Sequence, residues 1–180
     1  KNLMRQASIP TADSRSFSDI DAARSYLLRG LDREFENEFK TELAKEVTAF
    51  IEWCNEQEKS KYLQFSKELQ TALDQREEPC VVKASGLAAG KGVIICQTVG
   101  EAIRAVELVM KEHAFGEAGG TILIEEFMTG PEVSVLALID GGTIWVLDLC
   151  QDHKQVGEGD IGPNTGGMGA FCPAPLLDEE

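Results

Sequence analysis

Residues 81–93 read VVKASGLAAGKGV, which places a glycine-rich loop between two β-branched runs. Glycines let backbone N–H groups approach a phosphate at distances where a Cβ would clash. Lys83 before the loop and Lys91 within it supply positive charges for phosphate oxygens. The stretch predicts a phosphate-binding β-hairpin, only slightly ahead of an ordinary hairpin with a surface lysine. Its glycines are Gly86, Gly90 and Gly92.

Two common phosphate-binding loops do not fit this stretch. A P-loop needs GxxxxGK, then Ser or Thr, then a helix. Here the spacing from Gly86 is one residue short, and Lys91 is followed by Gly92 and a β-branched run. A dinucleotide fingerprint needs GxGxxG at the start of a helix, whereas the last glycines here precede Val-Ile-Ile. The loop therefore connects two predicted strands.

The surrounding sequence predicts an α+β fold. Thr98 and Glu101 have the spacing of a capping box, which predicts a helix. Asp140-Gly141-Gly142 predicts a tight antiparallel hairpin between its flanking runs. Residues 151–180, which contain GEGDIGPNTGGMG, are expected to form loops. β-branched runs bounded by glycines are typical of strands, and five occur here: CVVKA, GVIICQ, TILIEEF, EVSVLALID and TIWVLDLC.

Residues 31–78 contain no glycine or proline and are rich in Glu, Lys, Gln and Leu. Apolar residues recur every three or four positions, which predicts two amphipathic helices. A helical pair with one face on the core explains the pattern better than an arm that binds a protein partner.

Charge and cysteine content limit the partners and the compartment. The chain of 180 residues has 17 Lys+Arg and 31 Asp+Glu, a formal net charge of −14. This excess would repel nucleic acid and anionic membranes, so we expect neither as a partner. An odd number of scattered cysteines predicts free thiols in a reducing compartment such as the cytoplasm, and neither a disulfide framework nor a zinc site. They are Cys54, Cys80, Cys96, Cys150 and Cys172.

Two further polar stretches are candidates for ligand binding. In IEEFMTGPE (residues 124–132) the connector backbone can pair with an adenine edge, and a carboxylate can accept hydrogen bonds from ribose hydroxyls. A charged turn explains that stretch better when it is taken alone. The stretch QDHK (residues 151–154) precedes the glycine-rich residues 163–169, an arrangement typical of a substrate site, with a surface Ω-loop as the alternative.

Together and in this order, these stretches resemble the phosphoribosylamine–glycine ligases, which are ATP-grasp enzymes of purine biosynthesis. The similarity is nearly continuous over residues 79–175 and weaker over 1–28. It implies an ATP-grasp fold: an antiparallel sheet with helices on one face, plus a helical insertion. It also implies a piece of a longer enzyme with four parts. These are the start of the ATP-grasp region (1–30), the insertion (31–78), the nucleotide subdomain (79–150), and the substrate-site loop with the start of the second lobe (151–180).

The resemblance implies a reaction. The carboxylate of glycine attacks the γ-phosphate of ATP to give glycyl phosphate, and the amine of 5-phosphoribosylamine then displaces phosphate to give glycinamide ribonucleotide. Mg²⁺ or Mn²⁺ is implied as a cofactor, with its ligands expected beyond residue 180, so we expect a chain that ends there to be inactive alone. The alternatives are another ATP-grasp carboxylate–amine ligase, or a nucleotide-sensing scaffold that binds a protein partner through residues 31–78.

The resemblance also implies two sets of site residues. The nucleotide set comprises the phosphate residues Lys83, Gly86, Gly90, Lys91 and Gly92, the adenine residues Glu125, Glu126, Phe127 and Met128, and the ribose residue Glu132. The set on the phosphoribosylamine side comprises Asp152, His153, Lys154 and Asn164. The chain departs from the family at Ser85, where Asp is common, and at residues 30–78, where the family has a short connector.

Overall fold

The computed structural model describes residues 4, 6–38, 40–55, 65–88, 91–159 and 161–174, and among these it leaves out the side chains of residues 53–55 and 163. The site residue Gly90 lies outside the described residues. The chain forms two compact units, one of residues 1–88 and 92–127 and one of residues 89–91 and 128–180. The four-part division given above separates regions by their role in catalysis, and it stays a prediction.

The first unit contains a four-stranded antiparallel sheet. Its strands are β1 (Ser14–Phe17), β2 (Glu77–Ala84), β3 (Val93–Thr98) and β4 (Ile122–Glu126), in the order β1-β4-β2-β3. Three of the predicted strand runs are thereby confirmed. Because side chains alternate along a strand, the sheet has two faces. We call them the helix face (Cys80, Val82, Ala84, Ile94, Cys96, Ile122, Ile124) and the opposite face (Val81, Lys83, Val93, Ile95, Leu123, Glu125).

Helices α1 (Ile20–Leu27) and α5 (Val99–Met110) cover the helix face. The predicted start of α5 at Thr98 is confirmed, because the Thr98 side chain accepts a hydrogen bond from the Glu101 N–H. The Glu101 carboxylate accepts one from the Gln97 N–H, one residue before the N-cap of a strict capping box. Burial of each large aliphatic side chain here contributes about 1.5–3 kcal/mol. The core of this layer comprises Ala23, Val82, Cys96, Ala102, Ala105, Val106, Val109, Ile122 and Ile124.

Residues 31–78 contain three described helices, whereas two were predicted. They are α2 (Leu31–Asn37), α3 (Thr41–Asn55) and α4 (Lys67–Asp74). The chain turns after α2, where the Glu38 N–H bonds the Glu34 carbonyl and the Lys40 N–H bonds the Phe35 carbonyl. The apolar spacing runs through this turn, which is why the sequence did not reveal it. The apolar faces are buried with α5 in one core of Leu28, Leu31, Phe35, Ala44, Val47, Phe50, Phe65, Leu69, Leu73, Val99 and Ile103.

The second unit contains two β-hairpins. Strands β5 (Ala137–Asp140) and β6 (Thr143–Val146) pair around Gly141, whose φ of +55° suits glycine, and this hairpin is confirmed. The expectation of loops over residues 151–180 was wrong for most of that segment. Strands β7 (Gln151–Gly157) and β8 (Ile161–Phe171) pair there, and residues 175–180 lie outside the described residues. Glycine lowers intrinsic strand propensity, so only the partner strand identifies β8.

Candidate functional site

Lys83 lies on the opposite face, next to a buried carboxylate. Its Nζ is 2.6 Å from Oε2 of Glu125 on the adjacent strand β4. The Glu125 side chain is 6% exposed, whereas that of Lys83 is 37% exposed. A buried carboxylate needs a cation partner, so this ion pair fixes the ammonium group while leaving part of it accessible. A phosphate that reached Lys83 would share the ammonium group with Glu125.

The glycine-rich hairpin is attached to the rest of the first unit by backbone hydrogen bonds. The Ser85 N–H donates to the Thr121 carbonyl at 2.9 Å, and the Gly86 N–H donates to the Ala118 carbonyl at 3.1 Å. A Cβ on Gly86 would lie 2.6 Å from the Cα of Ala118, and one on Gly92 would lie 2.7 Å from the Cβ of Ala88. Both glycines are therefore required by packing. The sequence pattern predicts these glycines only for the close approach of a phosphate.

Glu126 ties the end of β4 to the segment before β1. Its N–H donates to the Asp13 carbonyl at 2.8 Å, and its Oε2 accepts a hydrogen bond from the Asp13 N–H at 3.0 Å. The family resemblance implies a place for Glu126 beside adenine, whereas no local pattern points to Asp13, because the two positions lie far apart in the chain. Next along the chain, Phe127 is half-buried and Met128 is 67% exposed.

A cavity of about 310 Å³ lies beside this connection in the first unit. Its lining includes four acidic residues and one arginine, so acidic residues predominate even though the Glu125 carboxylate is paired with Lys83, and a triphosphate is disfavoured. The charged residues are Asp13, Glu78, Glu125, Glu126 and Arg29, and the apolar lining includes Leu27, Pro79, Cys80, Val99 and Ala102.

In the second unit, Lys154 lies between two carboxylates. Its ammonium group forms an ion pair with Glu132, and its Nζ is 3.4 Å from Oδ2 of Asp152. The hydrogen bond to Glu132 is the largest cause that raises the pKa of Lys154, and Asp152 adds to it. Lys154 is therefore protonated at neutral pH. The structure brings together here a predicted ribose residue and two residues predicted to lie on the phosphoribosylamine side.

A wide bulge in β8 lies directly opposite Lys154. His153 pairs with Gly169 and Gln155 pairs with Asn164, so residues 165–168 face a single residue of β7. The Thr165 hydroxyl donates to the Lys154 carbonyl at 2.9 Å and accepts a hydrogen bond from the Gly167 N–H at 3.0 Å. The bulge thus holds the Lys154 backbone.

The glycines of residues 163–169 supply the backbone freedom for this bulge. Gly167 has a φ of +122°, which side chains rarely adopt. The His153 ring lies 5.2 Å from the Phe171 ring. Three predicted substrate residues, Asp152, His153 and Lys154, are therefore in β7, and Asn164 is in β8 beside Gln155.

Within the described part of the chain, no group of three or more His, Cys, Asp or Glu residues is arranged to hold a metal ion. The helices described there include none that is long and apolar enough to cross a membrane.

Residues 47–180 match the family described as phosphoribosylglycinamide synthetase, ATP-grasp (A) domain. The chain belongs to this family. The whole chain aligns with a phosphoribosylamine–glycine ligase of Rhodopirellula baltica at 43% identity and covers 32% of that protein. With the ligase of Pseudomonas syringae pv. tomato the identity is 51%, over 98% of this chain and 30% of the relative.

A solved structure is also similar. The crystal structure of phosphoribosylamine–glycine ligase from Thermotoga maritima superposes with a TM-score of 0.58 at 25% identity, over 98% of this chain and 33% of that one. The predicted resemblance and the ATP-grasp α+β fold are thus confirmed. The chain spans about a third of the length of these two curated relatives.

Proposed function

We propose that the protein containing this chain joins glycine to 5-phosphoribosylamine at the expense of ATP, through glycyl phosphate, and releases ADP and phosphate. The observation that carries the proposal is the family match over residues 47–180. The matched region includes the β2–β3 hairpin with Lys83 and the β7–β8 hairpin with Lys154. Relatives that align with 98–100% of the chain are named phosphoribosylamine–glycine ligase.

We assign ATP binding to the nucleotide set of site residues defined above. Two anions must meet when a carboxylate attacks a phosphoryl group, so cations are needed to lower their repulsion. In a chain with a net charge of −14, that field must come from individual side chains such as Lys83 and Lys91. Glu125 orients Lys83, and the hairpin of residues 86–92 closes over the phosphates and excludes water, which would otherwise hydrolyse the acyl phosphate.

We assign ribose recognition and the phosphoribosylamine side to the second unit. Glu132 accepts hydrogen bonds from the ribose hydroxyls, and the protonated Lys154 holds its carboxylate in position. Asp152, His153 and Asn164 complete this side. Mg²⁺ or Mn²⁺ would supply Lewis-acid stabilisation of the phosphates. The described residues do not fit such an ion, so no step is assigned to it here.

We also propose that the protein acts in a reducing compartment, and specifically in the cytoplasm. The described cysteines Cys80, Cys96, Cys150 and Cys172 are all free thiols, which supports the first part. Its partners are the small-molecule substrates. A protein partner at residues 31–78 is less favoured, because the apolar faces of α2, α3 and α4 are buried in a core shared with α5.

The test combines ATP binding with product formation in the protein that contains this chain. Replacing Lys83 with Ala removes a charge-assisted hydrogen bond of about 1.5–3 kcal/mol, which predicts ATP binding that is about 10- to 100-fold weaker by calorimetry. Lys67→Ala, at an exposed position of helix α4, is the matched control and should bind like the wild type.

Phosphate release from ATP should require both glycine and 5-phosphoribosylamine. Release with a different acid and amine, but not with these two, would point to another ATP-grasp ligase. Unchanged ATP affinity in Lys83→Ala would count against the phosphate assignment.

A further inference from the structure

Two cysteines of the first unit face each other across neighbouring strands. Cys80 of β2 pairs directly with Cys96 of β3, and both side chains lie on the helix face. Directly opposed residues of an antiparallel pair have Cα atoms about 4.5–5.5 Å apart. Disulfides span Cα separations of about 4.4–6.8 Å, so these sulfurs can join without a change of strand register.

The two thiols differ in how readily they ionise, and the Cys96 thiol also donates to the Ile94 carbonyl at 3.7 Å. A hydrogen bond between them is the largest cause that lowers the pKa of Cys80, and it is also the largest cause that raises the pKa of Cys96. Burial and the nearby Glu78 carboxylate oppose the lowering at Cys80 without cancelling it. These shifts favour ionisation of Cys80 and oppose that of Cys96, and the thiolate is the reactive form of cysteine.

The accessibility of the two side chains also favours Cys80 as the cysteine that reacts first. Cys96 is fully buried, whereas Cys80 is half-buried and lines the cavity of about 310 Å³ described above. A small uncharged oxidant can enter that cavity, whereas its excess of acidic residues disfavours an anionic one.

We propose that Cys80 and Cys96 form a reversible dithiol–disulfide site that is oxidised by hydrogen peroxide. The Cys80 thiolate attacks one peroxide oxygen and the O–O bond breaks. The departing hydroxide takes up a proton to become water, and Cys80 becomes a sulfenic acid. The Cys96 sulfur then attacks the Cys80 sulfur, so that an S–S bond forms and the S–O bond breaks. The second hydroxide takes the Cys96 proton and leaves as water. The two sulfurs lose two electrons and the peroxide gains them.

The disulfide would connect the two strands that flank the glycine-rich hairpin. Strand β2 also carries Lys83, three residues beyond Cys80. The link would close a loop of residues 81–95, which stabilises the folded state by restricting the unfolded chain. This proposal does not depend on the ligase function.

The experiment treats the reduced, folded protein with hydrogen peroxide and maps its tryptic peptides without reduction. Cleavage after Arg76, Lys83, Lys91 and Arg104 leaves Cys80 in peptide 77–83 and Cys96 in peptide 92–104. We expect these two peptides to be linked in most molecules, with the loss of two hydrogen atoms, and to separate again after dithiothreitol. The melting temperature of the oxidised protein should rise and return to its starting value on reduction.

Two controls make the result decisive. In Cys96→Ser the linked peptides should vanish and Cys80 should become sulfenic acid, with an unchanged circular dichroism spectrum as the check on folding. Wild-type protein oxidised in urea should give the 77–83/92–104 link only as a minor product. The proposal is overturned if native protein leaves both thiols reduced, takes Cys80 to sulfinic acid without a link, or gives the same mixture of links in urea.

Discussion

Replacing Gly86 with Ala tests why glycine is needed in the hairpin. The added Cβ would lie 2.6 Å from the Cα and 2.9 Å from the Cβ of Ala118. The nearest of these is a backbone atom, which cannot rotate away, so the hairpin or the 3₁₀ turn at Gly116–Gly120 must move. Overpacking of this kind costs about 1–3 kcal/mol. Movement would also weaken the Gly86–Ala118 hydrogen bond of 3.1 Å, which contributes about 0.5–1.5 kcal/mol.

Gly120→Ala is the matched control, because it adds the same methyl group in the neighbouring turn. No atom lies within 4 Å of a Cβ at that position, and its φ is not in the left-handed region. Such a substitution is neutral or stabilises by about 0.4–1 kcal/mol through the unfolded state. Gly86→Ala should therefore lower the free energy of unfolding, whereas Gly120→Ala should raise it or leave it unchanged.

Urea unfolding followed by circular dichroism measures this difference. We expect a lower midpoint with an unchanged slope for Gly86→Ala, and a midpoint at or above that of wild type for Gly120→Ala. ATP titration of both variants separates packing from ligand approach. If Gly86→Ala unfolds at the wild-type midpoint and loses only ATP affinity, then packing against Ala118 is not the reason for glycine.

The remaining predictions concern two charged groups. Arg24 is 1% exposed, and its guanidinium carbon lies 4.8 Å and 4.4 Å from the ring centres of Phe50 and Phe65. Because lysine cannot stack in this way, Arg24→Lys should lower the free energy of unfolding in urea by about 1–2 kcal/mol. An unchanged unfolding midpoint would contradict this role. Glu132→Gln should lower the pKa of Lys154 towards its ordinary value of 10.5, as followed by NMR of the lysine Cε. Because the folded-state pKa is raised, the pair contributes stability below pH 10.5 that is lost as pH rises through the folded-state value, so wild type and Glu132→Gln should converge there. A difference in stability between the two proteins that persisted at higher pH would contradict a raised pKa for Lys154.

Features with a local signal could be predicted from the sequence. Strands β2, β3 and β4 are β-branched runs, α5 begins at a capping box, and the β5–β6 hairpin has Asp-Gly-Gly at its turn. Each of these signals acts within a few residues, so it is visible in the local sequence. The same local pattern makes Lys83 a phosphate-binding candidate, a role that stays a prediction.

Features that depend on pairing between distant segments could not be predicted. The β7–β8 hairpin has a glycine-rich strand whose register is interrupted at Lys154. The contact between Glu126 and Asp13 joins positions 113 residues apart. The cysteines of β2 and β3 are scattered in the sequence, and their closeness appears only once the strand register is known.

The position of β1 beside β4 bears on how the protein is made. Strand β1 is synthesised well before β4, because the Glu126 that holds it follows Asp13 by 113 residues. At typical elongation rates that interval is about 6–23 seconds. Since local contacts form faster than distant ones, we expect the nascent chain to form its helical contacts first and to pair β1 with the sheet only after β4 has been made.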